Sequence, residues 1–218
     1  IRSLHTDYLV ILSLVKESKA RVEREQALKF VRAFLDVKGG TKEIHRSVVR
    51  VLVAVADHSD DQLRSIACLT LAEILLKDPE VVVEGGGVTV LSESMGNGAY
   101  HAPETLITPF MHLMDLPARR GMLRNGFEFS SAFASFTEPY NSHGHEERLK
   151  ASSRVIAGMF KSWSGLMTLS LHDFLPVRSV VSSLYISTAS VRNAVTDLIA
   201  DILRIQFPSW ASSFIGGR

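Results

Sequence analysis

Residues 22–35, VEREQALKFVRAFL, carry a spacing of polar and apolar positions that returns along the chain. Arg24, Ala27, Val31, Phe34 and Leu35 are matched 40 positions on by Arg64, Ala67, Leu71, Ile74 and Leu75. They are matched again 128 positions on by Arg192, Val195, Ile199, Ile202 and Leu203. Offsets of 3, 7, 10 and 11 from the arginine lie on one face of a 3.6-residue helix. An interval of 40, and about three times it, falls in the range of armadillo and HEAT repeats. A helix of this length cannot bury its apolar stripe alone, so the pattern predicts an all-α, armadillo/HEAT-like solenoid. Ala27 and Ala67 are expected at close helix contacts.

The same reading along the chain predicts further helices. Residues 4–15 are apolar at helical spacing, and 16–21 form a polar break. The 22–35 helix should stop at Gly39-Gly40, and Thr41 should cap a helix burying Ile44, Val48, Val51, Leu52 and Val55. Ser59-Asp60-Asp61 should open the second copy, and Asp78-Pro79 should end it. Glu23, Glu25, Asp60 and Asp61 should offset the cations placed in these opening turns, whereas Arg192 has only Asp197 and Asp201 further along. A short turn over 79–84 closes at Gly85-Gly86-Gly87, 88–95 resumes, and 95–100 reads as a loop. Helices are expected over 103–113, with Leu106, Phe110 and Leu113 on one face, and over a basic stretch at 116–124. Residues 126–136 are aromatic-rich, and 137–147, TEPYNSHGHEE, read as an exposed polar loop. A helix over 148–163, continued by 164–171, and a last pair over 176–185 and 190–205, ended by Pro208, complete the chain. The β-branched runs 81–83 and 88–90 are too short to predict a sheet.

Composition narrows the classes. The 218 residues are 46% hydrophobic, enough for a sizeable core, and read as a single armadillo-type domain over 1–218. Lys and Arg number 24 against 23 Asp and Glu, so charge makes no case for nucleic acid. The single cysteine, Cys68, excludes an internal disulfide and a Cys-rich zinc site, and fits a reducing compartment. No run is long enough to span a membrane. The chain starts at Ile1, ends at Gly216-Gly217-Arg218 and reads as a piece of a longer protein.

Each candidate for chemistry has a plainer reading. Gly85 to Gly87 lack the Lys and Ser/Thr of a phosphate loop and read as a helix-ending turn. His143, His145, Glu146 and Glu147 suit zinc by type, but no second ligand cluster accompanies them, so no metal is expected. Cys68 sits beside a core position and resembles a packed small hydrophobe. No Gly-x-Ser-x-Gly elbow occurs, and neither catalytic nor cofactor-binding residues are assigned. Arg119, Arg120 and Arg124, with His112, form the densest basic cluster. It could hold a phosphate, a nucleotide or an acidic partner, and otherwise reads as a solvated face. The phenylalanines of 127–136 and Trp163 are expected in packing rather than as a stacking platform.

Four stretches go beyond periodicity. VEREQALKFVR at 22–32, DPEVVVEGGGVTVL at 78–91, VIAGMFKSWSGLMTL at 155–169 and VRNAVTDLIADILRIQFP at 191–208 resemble, in order, the N-terminal region of the Rictor family, the large scaffold subunits of TOR complex 2. Within the third, Phe160, Lys161, Ser162, Trp163 and Gly165 echo a Phe-Arg-Ser-Trp-Ala-Gly pattern of that family. The chain looks like a diverged, fungal-type member, and 137–147 depart most from the pattern. The resemblance implies an armadillo-type scaffold without enzymatic activity or cofactor. It implies protein partners, the TOR kinase and a Sin1-type subunit, in a cytoplasmic complex that acts peripherally at the plasma membrane. The rival readings are an unrelated armadillo or HEAT adaptor, or a phosphate-binding helical domain built on Arg119, Arg120 and Arg124.

Overall fold

Apolar stripes at helical spacing leave little choice but helices, and the computed structural model of residues 21–37, 44–97, 100, 102–123, 129–137 and 144–204 contains them. The first five are α1 (Arg21–Asp36), α2 (Arg46–Asp57), α3 (Arg64–Lys77), α4 (Pro79–Gly85) and α5 (Gly87–Gly96). Then come α6 (Glu104–Asp115), α7 (Pro117–Arg120), α8 (Ser130–Thr137), α9 (His145–Phe160) and α10 (Trp163–Leu169). Helix α11 (Leu171–Ser182), a 3-10 turn (Ser183–Tyr185) and α12 (Ala189–Leu203) close the series. No strand occurs among the described residues, and the valine runs 81–83 and 88–90 are helical. The expected helix over 4–15, the Gly39-Gly40 stop, Thr41, Arg124, Phe127, most of the 137–147 loop and Pro208 lie outside them.

The chain forms two compact units: 1–91 with 116–125, and 92–115 with 126–218. In the first, α1 lies along α3, the two early copies of the repeated pattern. Arg24 pairs with Asp61, Arg32 with Glu73 at 3.0 Å and with the Thr70 hydroxyl at 3.2 Å, and Lys77 donates to the Leu35 carbonyl. Partner positions rise together along both segments, 37 to 42 residues apart. The copies therefore stack in parallel, one repeat on, as a solenoid requires. Ala27, Leu28, Val31 and Leu35 of α1 and Ala67, Leu71, Ile74 and Leu75 of α3 are buried. Helix α2 adds Val48, Leu52 and Val55 as expected, with Val49 and Ala56.

The glycine turn after α4 is steric in origin. Gly86 is left-handed at φ +83°, and a Cβ on Gly85 would fall 2.4 Å from Cγ1 of Val49 on α2.

The second unit repeats the parallel stacking with other partners. Glu104 of α6 pairs with Arg154 of α9, Asp115 accepts from Ser164 of α10, and the Thr168 hydroxyl lies 3.9 Å from the Met114 sulfur. These links join positions 49 to 54 residues apart. Leu106, Phe110 and Leu113 of α6 are fully buried on one face. A core of Phe136, Leu149, Ile156, Val180, Val191, Val195 and Leu198 joins α8, α9, α11 and α12.

Several boundaries move from the expected ones. Helix α2 starts at Arg46 and is capped by His45, whose ring accepts from the Ser47 amide at 3.3 Å, in place of the Thr41 cap. Residues 145–147 are the opening turn of α9 rather than loop, and His145 is buried. The long helix stops at Phe160, because Ser162 caps a new one by accepting from the Gly165 amide at 2.9 Å. Gly165 fits there because a Cβ would meet the Met159 carbonyl oxygen at 2.1 Å. Helix α11 takes in Pro176, which was expected to start a helix. Even so, Asp173 and Phe174 both have φ +59°, so regular right-handed geometry begins only after them.

Candidate functional site

The third pattern copy shows how the repeated arginine serves the fold. Arg192 donates to the carbonyls of Ile186 and Ser187 at 3.1 and 3.0 Å, in the turn entering α12. Arg64 does the same for the Ala56 carbonyl at the end of α2, at 2.9 Å. Both cations therefore meet backbone carbonyls beside a helix end or in the turn before one. The acid expected for Arg64, Asp61, instead serves Arg24 of the preceding copy. Asp61 also accepts from the Leu63 amide at 2.9 Å. Burial pushes its carboxyl up, but the Arg24 hydrogen bond and charge, with that amide, hold it below its ordinary value. The last position of the third copy departs from the pattern, since Leu203 is exposed.

Three members of the basic cluster fall among the described residues. Arg119 and Arg120 sit on the four-residue α7, which buries none of its side chains. His112 is exposed on α6 in the other unit, and Arg124 lies outside the described residues. Of the histidine and glutamate cluster, His143 lies outside the described residues. His145 turns into the core, while Glu146 is exposed and pairs with Lys150 at 2.7 Å. That pair lowers the Glu146 carboxyl and raises the Lys150 ammonium from their ordinary values. No group of three or more His, Cys, Asp or Glu among the described residues could hold a metal. Cys68 is buried in α3.

The aromatic expectations divide. Phe129 packs edge-on to Phe110, with centroids 5.4 Å apart, and Phe136 is buried. Trp163, expected in packing, is 74% exposed. The cause is the new cap: Ser162 starts α10 one residue earlier and turns Ser164 and Gly165 inward, leaving Trp163 outside. With it Leu166, Met167, Leu171, Phe174 and Leu175 are exposed along α10 and the start of α11. Single exposed hydrophobics are ordinary, but six in one short stretch, with a tryptophan, have the composition of an interaction surface. The Phe-Lys-Ser-Trp-Ser-Gly stretch drew attention in the sequence, yet which way its tryptophan faced depended on a helix break that periodicity smoothed over. No helix among the described residues is long and apolar enough to cross a membrane.

A family model described as rapamycin-insensitive companion of mTOR, N-term, matches residues 1–218. The chain is 28% identical over 230 residues to "Target of rapamycin complex 2 subunit ste20" of Schizosaccharomyces pombe, an alignment covering 99% of the chain and 18% of that relative. Identity is also 28% over 230 residues to "Rapamycin-insensitive companion of mTOR" of Mus musculus, covering 99% of the chain and 13% of the relative. It is 26% over 205 residues to "Target of rapamycin complex 2 subunit TSC11" of Saccharomyces cerevisiae, covering 93% and 14%. The chain thus spans between 13% and 18% of the length of these relatives.

Proposed function

Since the chain belongs to the family of the rapamycin-insensitive companion of mTOR, as its N-terminal part, we propose that it is a helical-repeat segment of a non-catalytic scaffold subunit of TOR complex 2. The observation that carries this reading is the family match over the whole of 1–218, joined to relatives named as subunits of that complex. The all-helical architecture supports it: in the first unit, parallel stacking of segments 37 to 42 residues apart is close to an armadillo or HEAT repeat.

The mechanism is geometric. Buried faces such as Ala27, Ala67 and Val195 hold the helices in register, and the exposed face stays free for partners. In this reading the partners are the TOR kinase and a Sin1-type subunit, and the run from Trp163 to Leu175 contributes to the surface they use. The complex is cytoplasmic and works peripherally at the plasma membrane.

Affinity purification of the longer natural protein from its own cells, followed by mass spectrometry, tests the reading. Recovery of a TOR kinase with a Sin1-type subunit is expected. Recovery of neither, from protein that melts cooperatively, would confine the likeness to architecture.

A further inference from the structure

A groove of about 660 Å³ runs between α9 and α12 within the second unit. Its half-buried lining is small: Ser153, Ala157 and Gly158 from α9, Ser190 and Ala194 from α12. Its exposed lining is charged. On the α9 side the charges are largely taken, because Lys150 pairs with Glu146 and Arg154 with Glu104. On the α12 side Asn193, Asp197 and Asp201 recur every fourth residue, which sets them in one stripe along the helix. Asp197 and Asp201 carry no ion pair among the described residues.

The lining also holds unmet hydrogen-bonding capacity. The hydroxyls of Ser153 and Ser190 and one carboxylate oxygen of Glu104 are buried without a hydrogen-bond partner among the described residues. Buried polar groups are rarely left so, since each costs on the order of 1–3 kcal/mol unless something meets it. Small side chains give room for a main chain to come close.

We propose that this groove takes an extended segment of a protein partner that carries Lys or Arg. Its main chain would lie against the small side chains and bond Asn193, and its cations would pair with Asp197 and Asp201. A helical ligand fits less well, because its backbone groups are already bonded to each other and are not free to bond Asn193. An anionic ligand fits less well too, because two of the three lining cations are already paired. Charge stripes of this kind set register and specificity in peptide grooves.

Fluorescence anisotropy on the full chain tests this, with labelled nine-residue peptides of alternating Arg and Ala or alternating Glu and Ala. The Arg-Ala peptide should bind and the Glu-Ala peptide should not. The double variant Asp197→Asn, Asp201→Asn should weaken binding at least tenfold, and Ala194→Trp, which fills the groove, should weaken it as much. Glu84→Gln with Glu93→Gln removes the same charge from exposed positions outside the groove and should leave binding unchanged. Melting curves matching the parent confirm that each variant is folded. No binding of the Arg-Ala peptide, equal binding of the acidic peptide, or equal weakening by the control pair overturns the proposal. None of these outcomes depends on membership of a TOR complex.

Discussion

The Asp61 carboxylate joins two copies of the repeated pattern, and its chemistry can be titrated. Its carboxyl is held below the ordinary value of 3.8, mainly by Arg24 acting against the burial that pushes it up. A carboxyl with a lowered folded value stabilises fully above its unfolded value and loses that contribution as pH falls through the folded one. Asp61→Asn should therefore cost about 1–2 kcal/mol at pH 7, the scale of a charge-assisted hydrogen bond. Urea unfolding should show the gap between variant and parent closing as pH falls below the ordinary carboxyl value of 3.8 and through the lowered folded one. A gap that stays unchanged however far the pH is lowered would mean that the charge is not its source. Ala67, fully buried in α3, gives a second residue-scale prediction. Ala67→Phe should destabilise by about 1–3 kcal/mol through overpacking, and a change within error would show the repeat register to be wrong. The buried alanines were legible because their spacing from the arginine is local. The partners of the arginines were not. Arg24 finds Asp61 from a distance of 37 residues, and Arg64 and Arg192 bind carbonyls, which no residue pattern marks.

At the scale of elements, apolar periodicity found the helices but not their ends. Ends are set by caps, and short polar residues abound in this chain. His45 rather than Thr41 caps α2, and Ser162 breaks what reads as one helix over 148–163. That break puts Trp163 outside, so Trp163→Ala should change stability by no more than about 0.5 kcal/mol, the usual range for exposed positions. A larger loss in chemical denaturation would mean that the indole is packed after all. The opening of α11 makes the opposite kind of prediction. Phe174 is exposed and has φ +59°, a conformation costing on the order of 1–3 kcal/mol for a residue with a Cβ. Phe174→Gly should then leave stability unchanged or raise it by up to about 1 kcal/mol. A clear loss would show that the aromatic ring is held in packing.

On the scale of the whole molecule, the period of 40 was visible because the first two copies lie in one unit and stack directly on each other. The third copy lies in the other unit, where links span 49 to 54 residues, so a single fixed period does not describe the chain. The four stretches that resemble the Rictor family match where a family model covers all 218 residues. No residue-level site followed from that likeness, and in the proposed scaffold reading none is needed, because a scaffold has no catalytic constellation to leave a motif. What it leaves is an exposed face. The most direct test of the central claim is co-purification of the TOR kinase with the longer natural protein carrying Trp163→Ser, Met167→Ser and Leu171→Ser together. Unchanged melting of the variant with loss of most of the kinase from the purified complex is the predicted result. Undiminished recovery of the kinase, with the same melting, would contradict the claim that this face helps to hold the complex together.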